Sequence, residues 1–74
     1  MGKLRIMSGA EDCAILALHG FVRVRQRGSH VVMQRTMAEN TTTTVPVPDH
    51  KELKVGTLRS IIRPSGLSRT EFEA

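Results

Sequence analysis

His30 lies in the segment RQRGSHVVM, three positions after Arg27 and five after Arg25. An imidazole can take up and release a proton near neutral pH. Guanidinium groups hold phosphate and other oxyanions through charge-assisted hydrogen bonds. A histidine flanked by arginines therefore has the parts for proton transfer on an anionic substrate. Residue type alone does not decide it, because a histidine at a strand start is more commonly an ordinary surface residue and a site needs geometry. The other two histidines are His19, placed at a helix end, and His50, a turn residue beside Asp49. The single cysteine, Cys13, excludes an intramolecular disulfide. No cysteine pair has zinc-ligand spacing and the histidines are scattered, so no metal site is expected.

The charge pattern narrows the partners. The chain has 11 Lys and Arg against 7 Asp and Glu, a formal net charge of +4, and a pI near 10.2. No acidic residue falls between Asp12 and Glu39, whereas Arg23, Arg25, Arg27 and Arg35 all do. A patch of one sign concentrates polyanions and points to nucleic acid or an acidic protein. The start MGKLRIMSG has no signal-peptide pattern, and the apolar run AILAL is too short for a membrane span. A reducing cytoplasm and no membrane partner are expected.

The elements that must position these residues can be read in order. Ser8 and Glu11 form a capping box ahead of a helix over residues 9–19, with Cys13, Leu16 and Ala17, joined by Ile15 and Leu18, in its apolar stripe. Gly20 supplies the left-handed residue that ends it, and Phe21 folds back onto Leu16. FVRVRQ and HVVMQR then switch to period two, as strands joined by a type II′ turn with Gly28 first and Ser29 second. That turn pairs Arg27 with His30, Arg25 with Val32 and Arg23 with Gln34 on one face. Val24 with Met33 and Gln26 with Val31 occupy the other. Residues 36–40 form a loop. TTTTVPVP makes a third strand with Val45 and Val47 on one face, and Pro46 places it at an edge or leaves it paired on one side there. KVGTLRSIIR gives a second helix over residues 54–63, stopped by Pro64 and Gly66. Ser68 and Glu71 suggest a second capping box beyond it. The fold class is α+β, in the order α-β-β-β-α. Two helices cover one face of a three-stranded antiparallel sheet, the two-layer arrangement of a double-stranded-RNA-binding domain. One domain is expected over 1–74, with its core at about residues 3–67 and a short C-terminal tail.

KLRIMSG, GFVRVRQRGSHVVM and VPVPDHKELKVGTLRSIIR followed by GL, in this order and spacing from about Lys3 to Phe72, resemble the HicA (YcfA-like) toxins of bacterial and archaeal toxin–antitoxin pairs. The resemblance implies a double-stranded-RNA-binding-like fold and cleavage of messenger RNA without a metal or other cofactor. It also implies inhibition by a HicB-type antitoxin that covers the active site. The family's catalytic histidine lies in the G-S-H segment, here His30, with Gly28 and Ser29 in the same motif. Lys54 to Leu58 match the motif opening the second helix. One departure is Pro64-Ser65, where the family keeps a helix-compatible pair. Proline disfavours helix at Arg63 and cannot bond back to Ser60, so the helix is expected to end a turn early, away from His30.

Metal-free RNA cleavage uses the neighbouring 2′-hydroxyl as nucleophile. A base takes its proton, an acid protects the leaving oxygen, and cations hold the charge on phosphorus. His30 fits the base. The second proton-transfer group is His50, a water, or absent, and a turn residue is the simpler reading of His50. Arg25, Arg27 and Lys54 are the expected phosphate contacts, Lys54 because a lysine opening a helix suits an anion bound there. The only aromatic residues, Phe21 and Phe72, leave little for base stacking. Contacts should run to phosphates and sugars with weak base preference. Two competing readings are a non-catalytic RNA-binding module of the same fold and an interaction protein whose basic face meets an acidic partner. The oligomeric state stays open.

Overall fold

The computed structural model describes residues 2–74. Helix α1 (Gly9–Leu18) opens on the expected capping box: Ser8 Oγ accepts the Glu11 N–H at 3.0 Å, and Glu11 Oε1 accepts the Ser8 N–H at 2.9 Å. Its end is a Schellman motif. The Phe21 N–H donates to the Leu16 carbonyl at 3.1 Å and the Gly20 N–H to Ala17 at 3.2 Å, with Gly20 at φ 92°. Phe21 and Leu16 are both buried in the core. The buried face of α1 is nevertheless turned in part from the expected stripe, of which Ile15 and Leu16 are buried. Gly9, Asp12, Ile15 and Leu16 face inward, Cys13 is half-buried, Ala17 is exposed and Leu18 is 83% exposed. Gly9 sets this rotation, because it packs so closely on the Pro48 carbonyl that a Cβ there would overlap it.

Three antiparallel strands follow in the order β1 (Val22–Arg27), β2 (His30–Thr36) and β3 (Thr42–Pro48). Arg27 pairs with His30, Gln26 with Val31 and Arg25 with Val32, as the turn dictates. The expected pairs Arg23–Gln34 and Val24–Met33 do not form. A β-bulge between Arg23 and Arg25 pairs Arg23 with Met33 and Val22 with Gln34, which moves Arg23 to the helix side of the sheet. The bulge puts Arg23 and Gln26 on one face, and an Arg23 guanidinium N–H donates to Gln26 Oε1 at 2.5 Å. Strand β3 pairs only with β2, so Pro46 is at an edge as expected. The 36–40 loop is short: β2 runs through Thr36, and Ala38–Asn40 form a 3₁₀ turn in which Glu39 and Asn40 have positive φ.

Helix α2 (Val55–Ser65) runs through Pro64, against the expectation that proline would stop it. The proline sits in the last turn, where it removes a single hydrogen bond, and it is exposed. Ser65 makes good the helix end, its Oγ donating to the Ile62 carbonyl at 2.6 Å and accepting the Leu67 N–H at 3.1 Å. Gly66, at φ 73°, then ends the helix. The second capping box does not form. Ser68 Oγ accepts from Thr70 N–H in the 3₁₀ turn Arg69–Phe72, and Glu71 instead pairs with His19, Nε2 to Oε1 2.8 Å.

Both helices pack on one face of β2 and β3, burying Ile15, Leu16, Leu58 and Ile61 against Val31, Met33, Val45 and Val47. No residue of β1 is buried. Phe72, beyond the expected core, is fully buried, and the last residues close on the first: the Arg5 N–H donates to the Phe72 carbonyl at 2.8 Å and the Ala74 N–H to Lys3 at 2.9 Å. Arg35 also faces the helices. Its guanidinium lies 4.8 Å over the Phe21 ring and donates to the carbonyls of His19 (3.0 Å) and Ser65 (3.3 Å). None of the described helices is long and apolar enough to cross a membrane.

Two glycine substitutions test this packing. Gly9→Ala forces a methyl into the Pro48 carbonyl and is expected to cost at least about 1–3 kcal/mol. Gly56→Ala, whose Cβ would enter open space in the first turn of α2, is expected to stabilise by about 0.4–1 kcal/mol. Urea melts check both. Asp12 is fully buried, neither carboxyl oxygen has a hydrogen-bond partner among the described residues, and burial raises its pKa from 3.8 to about 6. The folded state therefore favours the protonated acid, and its contribution to stability is complete below pH 4, fades between pH 4 and 6, and is gone above. Asp12→Asn is expected to flatten the stability profile across that window and to raise stability at pH 7.5 by roughly 1–3 kcal/mol. Urea midpoints from pH 4 to 7.5 test this, and an unchanged slope contradicts it.

Candidate functional site

The turn joining β1 to β2 has positive φ at Gly28 alone, 58°, and not at Ser29. This agrees with the type II′ geometry that matches strand twist. A Cβ at Gly28 would meet nothing within 4 Å, so the glycine is required by its backbone angle and not by crowding. Gln26 Nε2 donates to the Gly28 carbonyl at 3.1 Å and braces the turn from the helix side. Across the turn, His30 opens β2 directly opposite Arg27, with Pro48 of β3 as its other neighbour.

Alternation along β2 separates two surfaces. Val31 and Met33 enter the core, whereas His30, Val32 and Gln34 point to the face that no helix covers. Gln34 Nε2 donates to Thr44 Oγ1 at 3.2 Å between register partners, which fixes that face across β3 as well. Val32 is only 6% exposed although it lies outside the core cluster. Its register neighbours on that face are Arg25 and Pro46. Arg25, Arg27 and His30 are all exposed, and the His30 ring has no hydrogen-bond partner among the described residues. Four arginines thus divide into two pairs. Arg25 and Arg27 share the open face with His30, while Arg23 and Arg35 belong to the helix side.

The loop after β3 is tied to the same end of the sheet. The Asp49 N–H donates to the Ser29 carbonyl at 2.6 Å, the Gly9 N–H to the His50 carbonyl at 2.8 Å, and the Leu53 N–H to the Met7 carbonyl at 2.8 Å. These bonds collect the Gly28-Ser29 turn, His50, the start of α1 and the approach to α2 at one end of the molecule. The His50 side chain is exposed and makes no hydrogen bond among the described residues. Lys54 is the N-cap of α2, exposed, and supplies no capping acceptor. Amide groups of the first turn of α2 therefore lack a side-chain partner and sit beside an ammonium group, an arrangement that favours an anion.

Other reactive groups are poor candidates. Burial, together with Asp12, raises the Cys13 thiol pKa, so thiolate nucleophilicity is suppressed. Among the described residues no three His, Cys, Asp or Glu side chains converge as a metal set would. Charge counting over residues 12–39 also passed over a second cationic group, Lys3, Arg59, Arg63 and Arg69. Its signal was the i, i+4 spacing of Arg59 and Arg63 in a helix without an acidic residue.

Comparison with curated proteins and with solved structures finds no match. A family model, HicA toxin of bacterial toxin–antitoxin, matches residues 9–67, which include both helices, the whole sheet and His30. The match covers most of the chain, and the α-β-β-β-α order agrees with the expectation set by its motifs. This protein belongs to the HicA toxin family, the toxins of toxin–antitoxin systems.

Proposed function

We propose that the chain is an endoribonuclease that cleaves messenger RNA on the open face of the sheet, with His30 as general base. The observation that carries this reading is the exposed His30 ring in register with Arg27 and on one face with Arg25, in a member of the HicA toxin family. RNA is the substrate that uses all three groups. Its phosphates meet the guanidiniums, and its 2′-hydroxyl offers the proton an imidazole can take. Loss of that proton lets the 2′-oxygen attack the adjacent phosphorus. The bond to the 5′-oxygen breaks, leaving a 2′,3′-cyclic phosphate and a 5′-hydroxyl. Arg25 and Arg27 offset the charge gathering on the phosphoryl oxygens. Lys54 and the uncapped start of α2 hold a phosphate further along the strand.

A water protonates the leaving 5′-oxygen, and the hydroxide left behind takes back the proton held on His30; His50 is the second candidate for the acid. The route needs no metal or organic cofactor. The natural inhibitor is a HicB-type antitoxin that covers the His30 face, and both act in the cytoplasm. Without Tyr or Trp, and with both Phe residues buried, recognition rests on phosphates and sugars and is tolerant of sequence.

His30→Ala is expected to lower RNA cleavage by about 10²–10⁴-fold while RNA binding persists. Cleavage by the parent protein should continue in excess chelator. If the parent binds RNA but leaves it intact, the chain is a binding module; if His30→Ala still cleaves at the parent rate, His30 is not the base. Affinity for RNA should fall steeply with salt, and Arg25→Ala and Arg27→Ala should each reduce the slope of log affinity against log salt by about 1. Fluorescence anisotropy from low to high salt measures it, and a flat profile contradicts phosphate recognition.

A further inference from the structure

Arg59 and Arg63 stand one turn apart on the exposed side of α2. With Ile62, Gly66, Leu67 and Arg69 they line an open cleft of about 460 Å³ between α2 and the C-terminal turn. Arg59 and Arg69 also border an adjoining hollow with Lys3, Leu4 and Val55. Like charges at i, i+4 repel, and α2 carries no acidic residue to offset them. Ion pairs among the described residues are His19–Glu71 and Arg69–Glu73, so neither Arg59 nor Arg63 is neutralised. Below the guanidiniums the cleft is apolar. Ile62 and Leu67 are half-buried, packed against the core from one side and open on the other.

This cleft is separate from the His30 face. Gly66 and Ser65 lie beside Arg35, near the end of β2, whereas His30 begins that strand. Five residues of strand place the two about 16 Å apart, and the cleft belongs to the helix layer. The face with Arg25, Arg27 and His30 stays free when the cleft is filled.

We infer that the cleft receives an acidic amphipathic segment of a partner protein, with apolar side chains on Ile62 and Leu67 and carboxylates on Arg59 and Arg63. The apolar floor selects protein over nucleic acid. A sugar–phosphate backbone would pair with the guanidiniums and leave the floor uncovered, whereas a helix with one leucine face and flanking glutamates satisfies both. The inference rests on membership of a toxin–antitoxin family only for the expectation that a protein partner exists, and it is independent of the nuclease reading.

The test titrates the full-length, ¹⁵N-labelled chain with a synthetic helical peptide bearing leucines on one face and glutamates beside them. A scrambled peptide of the same composition and polyuridylate serve as comparisons. Amide shifts are expected in α2 and in residues 66–72, with the scrambled peptide binding about tenfold more weakly. Arg59→Glu/Arg63→Glu is expected to weaken the peptide at least about tenfold, Arg59→Gln/Arg63→Gln less, and Arg25→Glu/Arg27→Glu not at all. RNA cleavage by the Arg59/Arg63 variants should stay within about twofold of the parent, since these residues lie outside the proposed phosphate contacts. Shifts confined to residues 25–32, equal affinity for the scrambled peptide, displacement of the peptide by polyuridylate, or no binding would overturn the inference. Peptide binding by a chain that leaves RNA intact would remove the nuclease reading and keep this one.

Discussion

Period two along β2 is the constraint on which the rest depends. This central strand is bonded on both sides, and its residues alternate between a core shared with both helices and a face open to solvent. The same seven residues therefore fix the packing, through Val31 and Met33, and the outward placement of His30. A slip of one residue would drive an imidazole into the core and put Val31 in water. The two errors coincide, so a sequence that satisfies the core also presents the histidine. The bulge in β1 shows how local a departure can be. It falls beyond Arg25, counting from the turn, so Arg25 and Arg27 stay in phase with His30 while Arg23 is carried to the other side.

The two ends of the sandwich are electrically different. α1 and α2 both begin near the Gly28-Ser29 turn, where Gly9 bonds to His50 and Asp49 to Ser29. Both finish at Arg35, which gathers a carbonyl from His19 just past α1 and one from Ser65 at the end of α2, over the Phe21 ring. The helices thus run in the same direction. Their negative ends share a guanidinium, and their positive ends lie on the side of the molecule where His30 is found. Arg35 reads in the sequence as one more charge of a basic stretch. In the fold it is a tie between two helix ends, and it adds nothing to the open face.

How much was legible follows from how local each signal is. The capping box, the glycine end of α1, the turn at Gly28 and the three register pairs beside it each depend on a few adjacent residues, and each is found. The bulge was hidden because no β1 residue is buried, so alternation there carries no core requirement to read. The rotation of α1 depends on Gly9 meeting Pro48, a contact between residues far apart in sequence. Pro64 misled because its cost depends on position: in the interior it would break the ladder, but in the last turn Ser65 and Gly66 restore what is lost. Ser68 and Glu71 have capping-box spacing, yet His19 competes for the carboxylate and holds it. The burial of Asp12 has no local signature at all. For the site, charge and turn geometry placed His30 among arginines, but the catalytic role proposed for it rests on the resemblance of whole segments.

Exposure shapes what such a site can do. Charges on an open sheet act through water, where attraction over 4 Å is worth about 1 kcal/mol, against several in a partly enclosed setting. Arg25 and Arg27 are exposed, so on the proposed reading the free protein is an incomplete catalyst. RNA laid across the face would supply the missing enclosure: its sugars and bases exclude water from around His30, and the guanidiniums then act on phosphorus with less screening. On the same proposed reading, an antitoxin would inhibit simply by covering that face. A protein that occupies a flat, solvated face need distort nothing within the toxin, because it has only to take the place where RNA would complete the site.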